Sequence, residues 1–177
     1  MYAVNKEIPT DFEKEILVSL SFYPELANTK IKFCYSSIFT TMKAVPSVFF
    51  LFQKPENRKY RIVMNNKTCL GKTIMQRISP QAMTGIIGHE LGHIVDYSKH
   101  TNFGLVKLLI GYISRQGRIH TELRADQIAV EHNLGRELLE FTEHIYQDAC
   151  MNPKYIRYKR KYYNTPASLG NLVNKQD

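Results

Sequence analysis

Residues 79–97, SPQAMTGIIGHELGHIVDY, combine a helical pattern with two histidines four positions apart. Side chains four apart on an α-helix lie on the same face, so His89 and His93 present two imidazoles to one point. Two imidazoles in this arrangement supply the first two ligands of a zinc ion. Glu90 borders the same face and can reach a water on the metal without being a ligand itself. This stretch therefore predicts a helix that carries a metal site.

The flanking residues favour a buried helix at this place. Ser79 followed by Pro80 is typical of an N-cap with proline at the first helical position. An apolar stripe faces away from the histidines and consists of Met83, Ile87, Leu91, Ile94 and Val95. Gly85, Gly88 and Gly92 line one flank at a cost in helix stability, which close approach of another helix would offset. The alternative is a buried helix whose histidines are hydrogen-bonded core residues.

A third ligand is predicted from the segment HTELRAD, residues 120–126. Glu122 and Asp126 are four apart and share a helical face, with the small Ala125 beside them. Such a face can pack against the glycine flank of the first helix. We expect Glu122 to bind the metal, and Asp126 to accept the second ring N–H of a ligand histidine and fix its tautomer. The alternative is a pair of carboxylates on a solvated helix face.

Composition is that of an ordinary globular protein. The chain has 177 residues, of which 44% are hydrophobic and 23% charged, and this predicts one domain over residues 1–177. We expect a helix-and-sheet part at 1–78, metal-binding helices at 79–150 and a basic C-terminal tail at 151–177. The net charge of +8 permits an acidic partner but does not identify one.

Cysteine usage and the apolar runs give an expectation about location. Cys34, Cys69 and Cys150 are odd in number and widely spaced, which favours free thiols and a reducing, cytoplasmic compartment. No secretory signal is visible at the start of the chain. The most apolar stretch, residues 103–113, is too short to span a bilayer, so we expect a soluble protein.

The remaining elements are predicted from periodicity and turn chemistry. Thr10 and Glu13 indicate a capping box for a helix that Pro24 ends. Strands are expected at 30–35, 47–52 and 60–65, with a hairpin turn at 54–59 and a short edge strand at 73–78. Helices are expected at 102–113, about 120–132 and 136–149, with a break at 116–117 and turn-like structure from 164 to 177.

The motif HELGH followed by ELRAD resembles the gluzincins, zinc peptidases whose ligands are two histidines and a glutamate. ISPQAMTGIIGHELGHIVDY and ELRADQIAVEHNLG are most similar to the CaaX-endopeptidase and HtpX-like branch, over roughly residues 78–139. The chain departs from that branch in lacking predicted transmembrane helices and in a longer stretch at 114–120. A weaker resemblance is to the soluble repressor-cleaving metallopeptidases of mobile elements, which also use HExxH plus a glutamate.

The predicted fold class is α+β and zincin-like. We expect an N-terminal helix, a small three- to four-stranded and mostly antiparallel sheet, the HExxH helix, and then a helical C-terminal half. An edge of such a sheet can hold an extended peptide by strand addition.

The chemistry that this site predicts is zinc-dependent hydrolysis of peptide bonds in a peptide or protein substrate. His89, His93 and Glu122 would hold one Zn²⁺, and Glu90 would act as the general base and then pass the proton to the leaving amine. A further donor should stabilise the oxyanion. Spacing does not choose among the five candidates, which are His120, His144, Tyr155, Arg157 and Tyr158.

The segment 154–163, KYIRYKRKYY, leaves a second class of function open. It is either a contact for phosphate groups or an acidic surface, or an amphipathic helix whose tyrosines pack while its cations stay hydrated. In the first case the protein would be a catalytically silent or latent zinc-fold module that binds nucleic acid or an acidic surface. A further alternative is that residues 164–177 fold over the cleft and restrain activity.

Overall fold

A computed structural model describes residues 4–176, and this part of the chain has an α+β architecture. The helices are α1 Glu13–Ser21, α2 Pro80–Ser98, α3 Asn102–Gly111, α4 Arg115–Glu131, α5 Gly135–Gln147, α6 Pro153–Tyr162 and α7 Pro166–Val173. The strands are β1 Lys6–Glu7, β2 Lys30–Ser36, β3 Met42–Pro46, β4 Lys59–Asn65, β5 Thr68–Cys69 and β6 Lys72–Thr73. The expected absence of a secretory signal depends partly on residues 1–3, which lie outside the described residues.

The main sheet has the strand order β1-β2-β4-β3, and β5 and β6 form a separate hairpin. β1 pairs with β2 in parallel, β2 pairs with β4 in parallel, and β3 pairs with β4 antiparallel. The expectation of a mostly antiparallel sheet is therefore wrong. The chain leaves β2, forms β3 at the sheet edge and returns as β4 between them, so two strands that are not consecutive become parallel neighbours.

Side chains of the sheet alternate between a buried and a solvated face, as the two-residue period of a strand requires. On β2, Ile31 and Phe33 are buried while Lys32 is exposed, and on β4 Tyr60 and Ile62 are buried. The buried face belongs to the same core cluster as α1 and α2. The sheet thus forms one wall of the core.

The apolar run at 47–52 does not form the expected strand. β3 lies five residues earlier, at Met42–Pro46, and residues Phe50–Phe52 form a 3-10 turn in the loop before β4. A second 3-10 turn, Pro55–Asn57, occupies the predicted hairpin turn. Four of its five apolar side chains, Val48, Phe49, Leu51 and Phe52, are exposed, so the apolar composition of the run does not report a buried strand. The expected edge strand at 73–78 is likewise mostly a 3-10 turn, Ile74–Gln76.

Helix α2 is the central element, and its predicted start is confirmed. The Ser79 side chain accepts a hydrogen bond from the Ala82 backbone N–H at 2.9 Å, and Pro80 occupies the first turn. The helix is buried on almost every side because α5, α4, α1 and β3 all pack against it. Close packing at the glycine flank is also confirmed. A Cβ atom at Gly85 would lie 2.2 Å from the Glu137 carbonyl carbon, and one at Gly92 would lie 2.9 Å from the Ala125 carbonyl oxygen.

Several predicted helix boundaries are corrected. α1 has Phe12 as its N-cap and no side-chain cap hydrogen bond, so the capping box of Thr10 and Glu13 is not formed. α4 starts at Arg115 and runs through Gly117, where a Cβ atom would clash with the end of α3. The break between α3 and α4 therefore falls at residues 112–114. The glycine that resembled a helix breaker allows the two helices to approach closely.

The C-terminal residues are helical where turns were expected. α7 covers Pro166–Val173, and the Thr165 side chain caps it by accepting a hydrogen bond from the Ser168 backbone N–H. Leu169 and Val173 of this helix are buried, and α7 packs on α5 and α4. The segment therefore completes the core behind the helices.

The cysteines are not all free, and this corrects the expectation of free thiols. Cys69 of the β5–β6 hairpin forms a disulfide with Cys150, in the loop between α5 and α6. Cys34 is a half-buried free thiol. Sequence spacing gave no sign of the pair because 81 positions separate its members. The cysteine argument for a reducing compartment therefore no longer holds. Among the residues described, no helix combines the length and apolarity needed to cross a bilayer.

We predict that Gly85→Ala destabilises the fold, because the new methyl group would overlap the Glu137 backbone. The expected loss is about 1–3 kcal/mol or more in the free energy of unfolding, measured by urea denaturation. Gly111→Ala is the matched control, because its Cβ atom meets nothing within 4 Å and alanine favours a helix. Equal stability of the two variants would contradict the close packing of α2 on α5.

We also predict that Cys150→Ser lowers the free energy of unfolding of the oxidised protein by about 2–5 kcal/mol, because the disulfide closes a long loop of the unfolded chain. Reducing agent should destabilise the wild type by a similar amount and leave Cys150→Ser unchanged. Cys34→Ser keeps the disulfide and serves as the control. If the urea midpoint of the wild type were the same with and without reducing agent, the disulfide would be contradicted.

Candidate metal centre

Helices α2 and α4 bring three potential ligands together. The Glu122 Oε2 atom lies 3.3 Å from His89 Nε2 and 3.3 Å from His93 Nε2. All three side chains are buried, and one ligand atom from each lies within 4.8 Å of the others. This group could hold a metal ion.

Two of the three separations between these atoms fit a small tetrahedral cation, and the set as a whole lies within 4.8 Å. Bonds of about 2.0–2.1 Å in tetrahedral geometry separate neighbouring ligand atoms by roughly 3.3–3.4 Å, which matches the separation of Glu122 Oε2 from both rings. The same oxygen is buried and accepts no well-aligned hydrogen bond. A carboxylate oxygen without a donor is costly inside a protein. A cation between the three atoms would remove that cost.

Polar side chains around the ligands hold them in place. His89 Nδ1 lies 2.8 Å from Asp126 Oδ1, so Asp126 stands where sequence reasoning expected it. The Asn164 side-chain amide donates to Asp126 Oδ2 at 2.9 Å. An acceptor at Nδ1 leaves the Nε2 lone pair of the ring free for a metal. The other oxygen of Glu122 accepts a hydrogen bond from the hydroxyl of Tyr112, the residue that directly follows α3.

Glu90 lies beside the three ligands. Its side chain is buried, its Oε2 atom has no hydrogen-bond partner, and it lines the cleft that leads to the ligands. Burial raises the pKa of Glu90, although His89, His93 and a backbone hydrogen bond from Ala44 oppose that shift. A carboxylate with a raised pKa and a free oxygen is suited to accept a proton.

The buried charges of the site depend on one another. Burial alone would lower the pKa of His89, but the neighbouring Asp126 and Glu122 carboxylates outweigh it and raise that pKa to about 10. Burial alone would raise the pKa of Glu122, and the two imidazoles instead hold it well below its usual range. Lys159 of α6 is also buried, which lowers its pKa, while the site carboxylates oppose that shift. Its Nζ atom lies 3.8 Å from the centre of the Tyr163 ring.

A cleft with a volume of about 320 Å³ opens beside the ligands. One wall is β3, whose outer edge pairs with no other strand among residues 4–176. The lining also includes Leu109, Tyr112, Tyr158 and Tyr163. An unpaired strand edge can bind an extended peptide through backbone hydrogen bonds. The cleft therefore places such an edge next to the three potential metal ligands.

The five candidates for an oxyanion donor separate in space. Tyr158 lines the cleft. Tyr155 is buried next to it, but its hydroxyl is hydrogen-bonded to Thr41 and it does not line the cleft. His144 lies 3.6 Å from Asp148, in an ion cluster with Arg77. The two remaining candidates are exposed and do not line the cleft: His120 and Arg157.

Sequence reasoning missed two tyrosines of the site, Tyr112 and Tyr163. Tyr112 follows a helix that was predicted only as an apolar segment, and nothing local indicates that its hydroxyl reaches Glu122. Tyr163 lies in the segment that was predicted as a basic tail, and its ring centre is 5.9 Å from that of His89. The abundance of tyrosine at 155–163 was the available signal.

The segment 154–163 packs as an amphipathic helix. α6 buries Tyr155 and Lys159 and leaves its other cations in solvent. The Arg118 guanidinium of α4 lies 4.9 Å from the centre of the Tyr162 ring. The packing alternative therefore describes this helix, which also forms part of the cleft wall. α7 lies against α5 and α4, which does not match a tail folded over the cleft.

No protein-family model, no curated protein and no solved structure matches this chain. The interpretation of the site depends on its own geometry and chemistry.

Proposed function

We propose that this protein is a gluzincin-type, zinc-dependent endopeptidase with a zincin-like fold. The observation that supports the proposal is the convergence of His89, His93 and Glu122 in a buried group, with the Glu90 carboxylate, whose Oε2 atom has no hydrogen-bond partner, beside them at the cleft. A purely structural metal site needs no free carboxylate next to its ligands. The proposal extends the resemblance of HELGH and ELRAD to the gluzincins.

The ligand set favours zinc over the other common ions. Two imidazoles and one carboxylate are typical ligands of catalytic zinc, whereas calcium and magnesium prefer oxygen atoms alone. Structural zinc sites have four protein ligands, and catalytic sites have three and an open position. Three such ligands converge among the described residues, which favours a catalytic site. When bound, zinc would act as a Lewis acid that polarises the substrate carbonyl and lowers the pKa of a coordinated water towards about 7.

The residues of the cleft supply the rest of the mechanism. The free edge of β3 holds the substrate backbone in an extended conformation beside Glu90. The Glu90 carboxylate takes a proton from the attacking water and transfers it to the leaving nitrogen. The Tyr158 hydroxyl, the only one of the five sequence candidates that lines the cleft, donates to the developing oxyanion. Asp126 and Asn164 keep the His89 ring in its orientation throughout.

We predict that the purified protein binds one zinc ion per chain and that Glu122→Gln weakens zinc binding. The loss should exceed the roughly 10–100-fold effect of removing an outer partner of a ligand, because the negative charge of a ligand itself is removed. Glu131→Gln is the control, since Glu131 lies on the same helix and is exposed. Zinc content is measured by elemental analysis and affinity by competition with a chelator. A wild type without zinc affinity would refute the metal site.

We predict that Glu90→Gln abolishes hydrolysis of unfolded casein while one zinc ion stays bound. Loss of a general base costs about 10²–10⁴-fold in rate, and glutamine preserves the shape of the side chain. Release of fluorescent peptides from labelled casein measures the rate, with Glu131→Gln again as the control. If the zinc-loaded wild type cleaves nothing, the protein is better described as a catalytically silent zinc-binding module. If the wild type is active and Glu90→Gln is equally active, Glu90 is not the general base.

A further inference from the structure

Exposed apolar side chains are concentrated in two segments of the chain. We use the name apolar surface for the exposed side chains of these two segments, which are Val48, Phe49, Leu51, Phe52, Phe103, Ile110 and Ile113. Phe52 is 86% exposed, Ile113 77%, Val48 73% and Phe103 70%. A concentration of exposed apolar groups of this kind marks an interaction site more often than scattered single residues do.

The two segments are held against each other. The Asn102 side-chain amide, at the start of α3, donates to the Leu51 carbonyl at 3.0 Å and to the Gln53 carbonyl at 3.2 Å. Its carbonyl oxygen accepts from the buried Arg58 guanidinium, which also donates to the Tyr97 carbonyl at 3.0 Å. The loop between β3 and β4 is therefore fixed to the N-terminal end of α3, and its phenylalanines form a defined surface with that helix.

Helix α3 connects this surface to the cleft. Leu105 is buried, and Leu109 lines the cleft together with Tyr112, which follows the helix. Phe103 and Ile110, seven positions apart, lie on another face, which is exposed. The part of the apolar surface that α3 carries is therefore on the outer side of the same helix whose inner side borders the cleft.

The segments that carry this surface are basic when their flanking residues are included. Residues 47–58 and 98–121 contain six basic residues and one acidic residue, a net charge of +5 out of the +8 of the chain. Four of the basic side chains are exposed: Lys54, Lys99, Lys107 and Arg115. The Lys107 Nζ atom lies 4.8 Å from the centre of the Phe103 ring. Lysines beside exposed aromatic and aliphatic groups are typical of helices that lie in a membrane interface.

We propose that the apolar surface docks this protein on an anionic lipid bilayer. Its phenylalanines and isoleucines enter the boundary between headgroups and acyl chains, and the lysines around them bind acidic headgroups. Docking through α3 holds the cleft close to the bilayer. A second copy of the chain is disfavoured as the occupant, because a symmetric contact would bring two basic surfaces together. The surface is distinct from α6, and the inference does not depend on catalysis.

The test is sedimentation of the zinc-loaded full chain with vesicles of phosphatidylcholine, alone or with 30% phosphatidylserine as roughly the content of an anionic leaflet. The wild type should bind the mixed vesicles at least about tenfold more tightly than the neutral ones, and less tightly in high salt. The triple variant Phe49→Ser, Phe52→Ser, Phe103→Ser should lose at least about tenfold in affinity for the mixed vesicles.

Matched variants separate this surface from general apolarity and from unfolding. Val18→Ser and Leu70→Asn replace exposed apolar side chains elsewhere and should bind vesicles like the wild type. The urea midpoint and zinc content of the triple variant should equal those of the wild type, because the replaced side chains are exposed. Binding to mixed vesicles that the triple substitution leaves unchanged would overturn the proposal. The proposal would also be overturned if the wild type were a dimer that does not bind vesicles and the triple variant were a monomer.

Discussion

The contact between α2 and α4 at Gly92 sets the distance across which the three potential ligands meet. A Cβ atom at Gly92 would lie 2.9 Å from the Ala125 carbonyl oxygen, so a larger residue would push the helices apart. Glu122 lies one turn before Asp126 on α4, and both carboxylates reach His89 because the two backbones are this close. Gly85 and Gly88, on the same helix, allow a second close contact, in which α2 packs against α5 and Leu134. The helix propensity lost at three glycines is offset by this packing.

The buried polar groups explain why the site is poised for an ion. Glu90, Glu122 and Asp126 are carboxylates inside the protein, and desolvation disfavours their charged forms. The two imidazoles hold the pKa of Glu122 well below its usual range, and the site carboxylates oppose the lowering of the Lys159 pKa by burial. Even so, Glu90 Oε2, Glu122 Oε2 and His93 Nδ1 remain without hydrogen-bond partners. Incomplete pairing of this kind is unfavourable for stability alone and is concentrated at functional sites.

The same elements serve the cleft and the apolar surface. The chain from β3 to β4 provides the free strand edge on one side and the exposed phenylalanines of the intervening loop on the other. α3 borders the cleft through Leu109 and carries Phe103 and Ile110 outside. Asn102 and Arg58 tie the loop to the helix with hydrogen bonds to backbone carbonyls. A bilayer bound at the apolar surface would therefore lie next to the cleft.

The candidate site residues could be predicted from the sequence because helical periodicity determines which side chains share a face. The spacing of His89 and His93, the position of Glu90, and the pair Glu122 and Asp126 are local patterns, and the cap at Ser79 is equally local. Other features depend on contacts between distant segments. They include the parallel pairing of β2 with β4, the disulfide between Cys69 and Cys150, and the tyrosines that line the cleft. Local sequence encodes the face on which a side chain lies, but its neighbours across the core are set only when the packed helices and sheet bring remote parts of the chain together.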